Sequence, residues 1–384
     1  MPHPLVTLTG QLITNGIRFR YLRRFGKTIK PQAISLEVTH RCIARCLMCN
    51  IWRIPKKTPV LSVDQWLALL SKDLFTDLVE LDITGGEPFL REDLAELFTA
   101  ICELKGHHLT SLKSVAITTN GFLTGRVIEE TKAILMEARH RALGVVMVCA
   151  MDAVGDVHDN VRQYPGAWEK VNRTIQGLRR LRTEFPNLII GLKTTVLPFT
   201  VDHLDAIVTY ARQNDLFTII SPCIITEGRY LNPDRAKDLV FNSQQTEKMI
   251  RFFQNDTSRW SFHDTCLVDY LKTGRMKKPC SCGFNYFFIR SQGSLLPCPM
   301  IDKSPGNVTQ TPIEKLLASD ATVRIRRHAG KMNPCRHCTE PGLERYSLPC
   351  EGWRYLSLLP KMGGQQFLQL HRHMGLDKYF HQQI

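Results

Sequence analysis

No apolar stretch of the 384-residue chain approaches the roughly 20 residues that cross a bilayer; the longest runs from Leu143 to Met151. The N-terminus, MPHPLVTLTG, lacks a basic region and a small-residue cleavage site, so no secretory signal is expected and the chain reads as cytoplasmic. Internal repeats and low-complexity segments are missing too, which excludes solenoid and fibrous architectures. The composition is unbiased, with 43% apolar and 22% charged residues, and argues against disorder. Acidic side chains are absent from positions 1–36, where six bases stand, and the whole chain carries a formal charge of +14. The length predicts one large domain with a smaller companion, or two to three domains.

Cysteine, by contrast, is plentiful. There are thirteen, and in a reducing compartment clustered cysteines bind metal or do redox work more often than they form disulfides. One group is Cys42, Cys46 and Cys49, spaced C-x3-C-x2-C inside THRCIARCLMCNIW. The other is six cysteines between Cys280 and Cys350. The remaining four are isolated, and Cys149 and Cys223 read as small core residues in strand-like runs.

From residue 34 onward, short β-rich runs alternate with stretches of helical period. The runs are 34–39, 79–84, 115–118, 145–150, 188–195 and 217–221. Helices are expected near 62–73, 91–104, 124–142, 167–184 and 201–214, with Ser62 as an N-cap. Six β-then-α units imply a parallel sheet with right-handed crossovers, either a barrel or a doubly wound sheet. The alternation stops near 240; after 280 the text becomes a hairpin, FNYFFIRSQGSLLPCP, with a turn at Gly293. The last thirty residues read as an amphipathic helix.

Unusual residues follow the strand ends: the cysteine loop after the first, Gly85-Gly86-Glu87-Pro88 after the second, Asn120 after the third, and Asp152 with Arg162 after the fourth. Loops at that end of parallel strands converge on one site. Three thiolates can hold three corners of a four-iron cluster and leave one iron open, whereas structural zinc closes with four ligands. A zinc knuckle completed from elsewhere is the alternative.

C-x3-C-x2-C after a first strand and GGEP after a second resemble the radical S-adenosylmethionine (SAM) superfamily over roughly residues 31–225. The resemblance implies an α/β fold: a partial (β/α)6 TIM-like barrel, here with a small C-terminal α+β hairpin domain. It implies that Cys42, Cys46 and Cys49 hold a [4Fe–4S] cluster whose open iron chelates SAM. One electron, from a donor such as flavodoxin or ferredoxin, then cleaves SAM to a 5′-deoxyadenosyl radical that abstracts hydrogen from substrate. It further implies that Gly85, Gly86 and Glu87 line the edge holding the SAM amino group, that Asn120 and Asp152 lie near SAM, and that Met48 sits beside the adenine. Arg162 is a partner for the SAM carboxylate, or else a surface ion pair. Ala150 stands where the family often has serine.

Cys280 and Cys298 flank the hairpin, and Cys335-x2-Cys338 follows. This resembles the SPASM auxiliary-cluster domain or its shorter twitch form. The implied ligands of a second [4Fe–4S] cluster are Cys280, Cys298, Cys335 and Cys338, with Cys282 and Cys350 as spares; a zinc ribbon is the alternative. Such a cluster would accept an electron from the substrate or relay electrons to the first cluster.

The expected organisation is a basic arm (1–30), the barrel (31–240), connecting helices (241–279), the auxiliary domain (280–350) and a helical tail (351–384). The arm has three readings: a helix docked on the barrel, a peripheral contact with anionic membrane, and a nucleic-acid contact that no recognisable motif supports. The expected function is abstraction of hydrogen from an unreactive C–H bond of a small molecule, sugar or lipid, because thirty residues before the barrel are too few for a peptide-recognition domain. The alternatives are a peptide-modifying maturase with a separate recognition protein, and a non-catalytic metal-binding barrel.

Overall fold

A computed structural model describes residues 4–255 and 262–380. The chain begins with helix α1 (Pro4–Arg24). It then alternates through β1 (Ala33–Thr39), α2 (Val63–Leu70), β2 (Glu80–Gly85), α3 (Leu94–His107), β3 (Ser114–Thr119) and α4 (Thr124–His140). The series continues with β4 (Gly144–Ala150), α5 (Asp156–Arg162), α6 (Ala167–Glu184), β5 (Leu188–Val196), α7 (Leu204–Gln213) and β6 (Phe217–Pro222). All six expected strands are present, and β1 to β6 pair in parallel in sequence order. Ser62 caps α2 in a reciprocal pair: its hydroxyl accepts from Gln65 N at 3.2 Å, and its own N–H donates to Gln65 Oε1 at 2.9 Å. The short helix α5 was not anticipated.

Period-two alternation sorts the strands into two faces. Leu36, Leu81, Ile83, Val115 and Ile117 point outward and are fully buried beneath the helices, with Trp66, Phe75 and Phe98. Inward-pointing Glu37, Thr84, Thr118 and Ala150 line a cavity instead. The sheet is unclosed, a partial barrel.

Two connecting helices, α8 (Ser243–Gln254) and α9 (Phe262–Thr273), lead to the expected hairpin, β7 (Tyr286–Ile289) and β8 (Leu295–Leu296). The hairpin does not stand apart in its own domain. β7 pairs in parallel with β1, so the sheet has eight strands in the order β6-β5-β4-β3-β2-β1-β7-β8. Helices α10 (Ile313–Ala318), α11 (Asp320–His328), α12 (Pro341–Ser347), α13 (Trp353–Leu356) and α14 (Leu359–His373) follow. Among the described residues the tail therefore holds two α-helices and a short 3-10 turn (Asp377–Tyr379), and α14 is broken at Gly363, whose φ of 78° interrupts the helical backbone.

The basic arm is a docked helix. Leu8, Leu12, Gly16 and Phe19 are buried, Phe19 packs edge-on against Phe284 with centroids 4.8 Å apart, and Gly16 admits the Trp353 ring. Ile17, Tyr21 and Phe25 lie on the opposite, exposed face. No helix among the described residues is long and apolar enough to cross a membrane.

Candidate active site

The loop after β1 brings Cys42, Met48, Cys46 and Cys49 to the wall of one cavity of about 1190 Å³, open to solvent. The loop is stitched down on both sides. Arg45 N and Leu47 N donate to the carbonyls of Arg162 and Val161 at 3.1 and 3.0 Å. Asn232 Nδ2 donates to the Met48 carbonyl at 2.8 Å, and Asn50 N to that of Tyr230 at 2.9 Å. Gly85 and Gly86 are required by proximity: a Cβ on either would stand 2.3 Å from the carbonyl oxygen of Thr39 or Arg41 respectively. Without side chains there, Gly86 N and Glu87 N reach those same carbonyls at 2.8 Å.

Gly85, Gly86, Asn120 and Arg162 line the cavity with the cysteines. Asn120 Nδ2 donates to Cys42 Sγ at 3.9 Å and Arg162 Nη1 to Cys46 Sγ at 3.6 Å. Asp152 is fully buried behind the wall, where Oδ2 pairs with Arg162 Nη2 at 2.8 Å and Oδ1 accepts from Thr195 N at 2.9 Å. Arg162 is thus no surface ion pair: it is held by a buried aspartate and aimed at the thiols. Glu87 also stands behind the wall and differs from the expected cavity edge. Its carboxylate accepts from Asn120 N (2.7 Å), Thr119 Oγ1 (2.8 Å) and Phe89 N (3.2 Å), tying the β2 and β3 loops together. Burial raises its pKa to about 7, against the pull of those donors.

Burial also opposes ionisation of the three thiols. Cys49 is pushed up to about 12, with Cys42 and Cys46 raised as well, and the thiols reinforce this mutually. Such a donor set calls for a cationic centre to ionise it, which iron supplies. Among the described residues no three Cys, His, Asp or Glu side chains converge as the ligands of one metal ion would. The three thiols line one cavity, and three thiolates leave one iron of a four-iron cluster open.

Below the hairpin, Cys280, Cys282, Cys298, Cys335 and Cys338 line a second cavity of about 410 Å³. Cys350 lies elsewhere, packed with Phe19 and Phe284. Cys280 and Cys282 are hydrogen-bonded to one another, and that bond favours a thiolate within the pair.

Several lining residues had no sequence signal: Arg229, Tyr230, Phe288, Thr339, Glu340 and Pro341 arrive from segments beyond the β-α repeat. Glu37 was detectable in principle, as the one acid in the first strand; buried, it pairs with Arg290 at 2.9 Å.

Residues 36–211 match the model of the radical SAM superfamily, and residues 280–339 match that of an iron–sulfur cluster-binding domain, SPASM. The chain is a radical SAM enzyme with a SPASM-type domain, and these domains imply [4Fe–4S] clusters and SAM as cofactors. An AdoMet-dependent heme synthase of Methanosarcina barkeri is 23% identical over 85% of this chain and 92% of its own. A PqqA peptide cyclase of Xanthomonas oryzae is 20% identical over 84% of this chain and 83% of its own. Streptococcus suis SuiB bound to S-adenosylmethionine shares the fold, with a TM-score of 0.58 and 15% identity over 90% of this chain and 78% of that one.

Proposed function

We propose that the enzyme oxidatively modifies a peptide brought to it by a separate recognition protein. Cys42, Cys46 and Cys49 hold the SAM-binding cluster, and Cys280, Cys298, Cys335 and Cys338 hold the auxiliary one. When bound, the first cluster and SAM supply a 5′-deoxyadenosyl radical able to remove hydrogen from an unreactive C–H bond. The chain's own residues position and enclose. Arg162 offers its guanidinium to the SAM carboxylate, Asn120 braces the third-strand side, and Met48 packs toward the adenine.

One observation carries the oxidative reading. Thr339, Glu340 and Pro341 directly follow Cys338 and line the same cavity as Cys42 and Cys46. An electron leaving a substrate radical in that cavity has a short covalent path to the auxiliary thiolates. The likeness to a peptide cyclase over most of both chains favours a peptide. A second reading, a small-molecule substrate, is favoured by the heme synthase likeness, which spans 92% of that relative.

Anaerobically reconstituted protein is expected to hold about eight irons and, with SAM and dithionite, to release 5′-deoxyadenosine. A substrate peptide would lose a pair of hydrogens, read by mass spectrometry. Absence of 5′-deoxyadenosine from fully iron-loaded protein overturns the reading.

A further inference from the structure

The SAM-side cavity does not end at the middle of the barrel. A lower chamber of about 1000 Å³ lies beneath it, and Thr118, Lys193, Ile219, Arg229, Glu340 and Pro341 line both. The lower chamber has one apolar wall, with Val146, Val148, Ile189 and Phe217 from β4 to β6. Facing it stand Tyr286 and Tyr346, stacked with centroids 4.9 Å apart. Its acids are largely engaged. Glu80 pairs with Arg345 at 2.9 Å and Lys378 at 2.5 Å, and Asp82 accepts from Ser35 Oγ at 2.7 Å.

The waist between the chambers differs. Arg229 Nη2 donates to Thr84 Oγ1 at 3.0 Å, and the guanidinium lies over Tyr230 and Phe288 at 5.4 and 5.6 Å from the ring centroids. None of the ion pairs among the described residues uses Arg229, so Glu340 and Asp82 act on it only from beyond 4.0 Å. Lys193 meets Glu340 loosely, at 3.8 Å. A cavity waist thus presents two cations, with Glu340 loosely paired to Lys193 and with Glu340 and Asp82 acting on Arg229 only from a distance. A partly buried guanidinium with donors to spare is a site for a planar anion, which it grips through paired charge-assisted hydrogen bonds.

We propose that the two chambers form one substrate cavity and that Arg229, with Lys193, anchors a carboxylate of the substrate at the waist. The reacting carbon then lies above, toward the Cys42 loop, and an apolar or aromatic portion lies below against Phe217, Tyr286 and Tyr346. This rests on the reading of the upper cavity as the site of hydrogen abstraction. For a peptide the anchored group is an acidic side chain or the C-terminus; for a small molecule it is the acid itself.

The test is binding of paired probes to SAM-loaded holoenzyme by calorimetry, without reductant. The pairs are 3-phenylpropionate against 3-phenylpropanamide, and Ac-Phe-Glu-Phe-amide against Ac-Phe-Gln-Phe-amide. Each acid should bind about tenfold or more tightly than its amide, the factor that a charge-assisted hydrogen bond provides. Arg229→Gln should erase the preference and Lys193→Gln should reduce it. Asp82→Asn, which removes a competing anion, should strengthen it; a merely damaged fold would not bind better. A preference confined to the tripeptide names a peptide as the source, and one confined to 3-phenylpropionate names a small acid. Equal binding of acid and amide to wild-type protein overturns the proposal, as does a preference that survives in both Arg229→Gln and Lys193→Gln. Wild-type protein that releases 5′-deoxyadenosine but shows no preference overturns this anchor alone. Protein that cleaves no SAM overturns the underlying reading, whatever the probes do.

Discussion

The two cysteine groups are built by different means. Cys42, Cys46 and Cys49 sit in one loop of eight residues, which Arg45 N, Leu47 N and, just beyond it, Asn50 N tie to the carbonyls of Arg162, Val161 and Tyr230. The auxiliary cavity is assembled from positions nearly sixty residues apart: the approach to β7, the turn after β8 and a return segment at 335–338. The first group therefore has its ligand set fixed by local spacing, with nothing to choose among, although distant segments hold the loop in place. The second offers five thiols around one cavity, so contacts distant in sequence must select the ligands.

The largest break in this comparison comes from Cys46→Ala. Removing one of three thiolates should cost about half the iron, roughly four atoms per chain, and abolish 5′-deoxyadenosine release, while the auxiliary site keeps its cluster; iron assay and chromatography check both. Cys338→Ala should lose the other half of the iron yet still cleave SAM. Cys282→Ala should retain both clusters, and loss of the auxiliary cluster there would reassign the ligand set.

A smaller effect is expected from Gly86→Ala. The new methyl meets the Arg41 carbonyl at 2.3 Å, and neither backbone can yield freely. Destabilisation of about 2–4 kcal/mol should appear in chemical denaturation of the metal-free chain. Glu87 tests the same loop through pH. Its pKa rises on folding from 4.5 to about 7, so the folded state binds the proton more tightly. Its contribution to stability is full below pH 4.5 and is lost as pH rises to about 7, a change of up to about 3 kcal/mol. Glu87→Gln should flatten that slope in denaturation midpoints measured across the window. The least effect belongs to Cys350→Ser, which lies outside the auxiliary cavity and should leave iron content unchanged.

The same contrast decides what could be read from the sequence. Strands β1 to β6 announced themselves because fully buried parallel strands are short apolar runs set between helical periods. The first cysteine loop, GGEP, Asn120 and Arg162 were legible because each follows a recognisable strand. β7 was recognised as a hairpin strand, but its pairing with β1 spans some 250 residues and leaves no local trace. Arg229, Lys193 and Glu340 meet at the waist for the same non-local reason. Sequence does not separate the two settings open to Glu87, because a buried carboxylate satisfied by three donors looks, in sequence, the same as one facing a ligand. In the basic arm, Leu8, Leu12, Gly16 and Phe19 form the docking face and Tyr21 and Phe25 are exposed, a division that charge alone does not predict.

The central claim, a three-thiolate cluster with a corner left for SAM, is tested most directly by electron paramagnetic resonance of reduced Cys338→Ala protein, in which only the first cluster remains. Adding SAM should shift the spectrum, because the nucleotide binds the cluster itself. Superimposable spectra with and without SAM would contradict the claim.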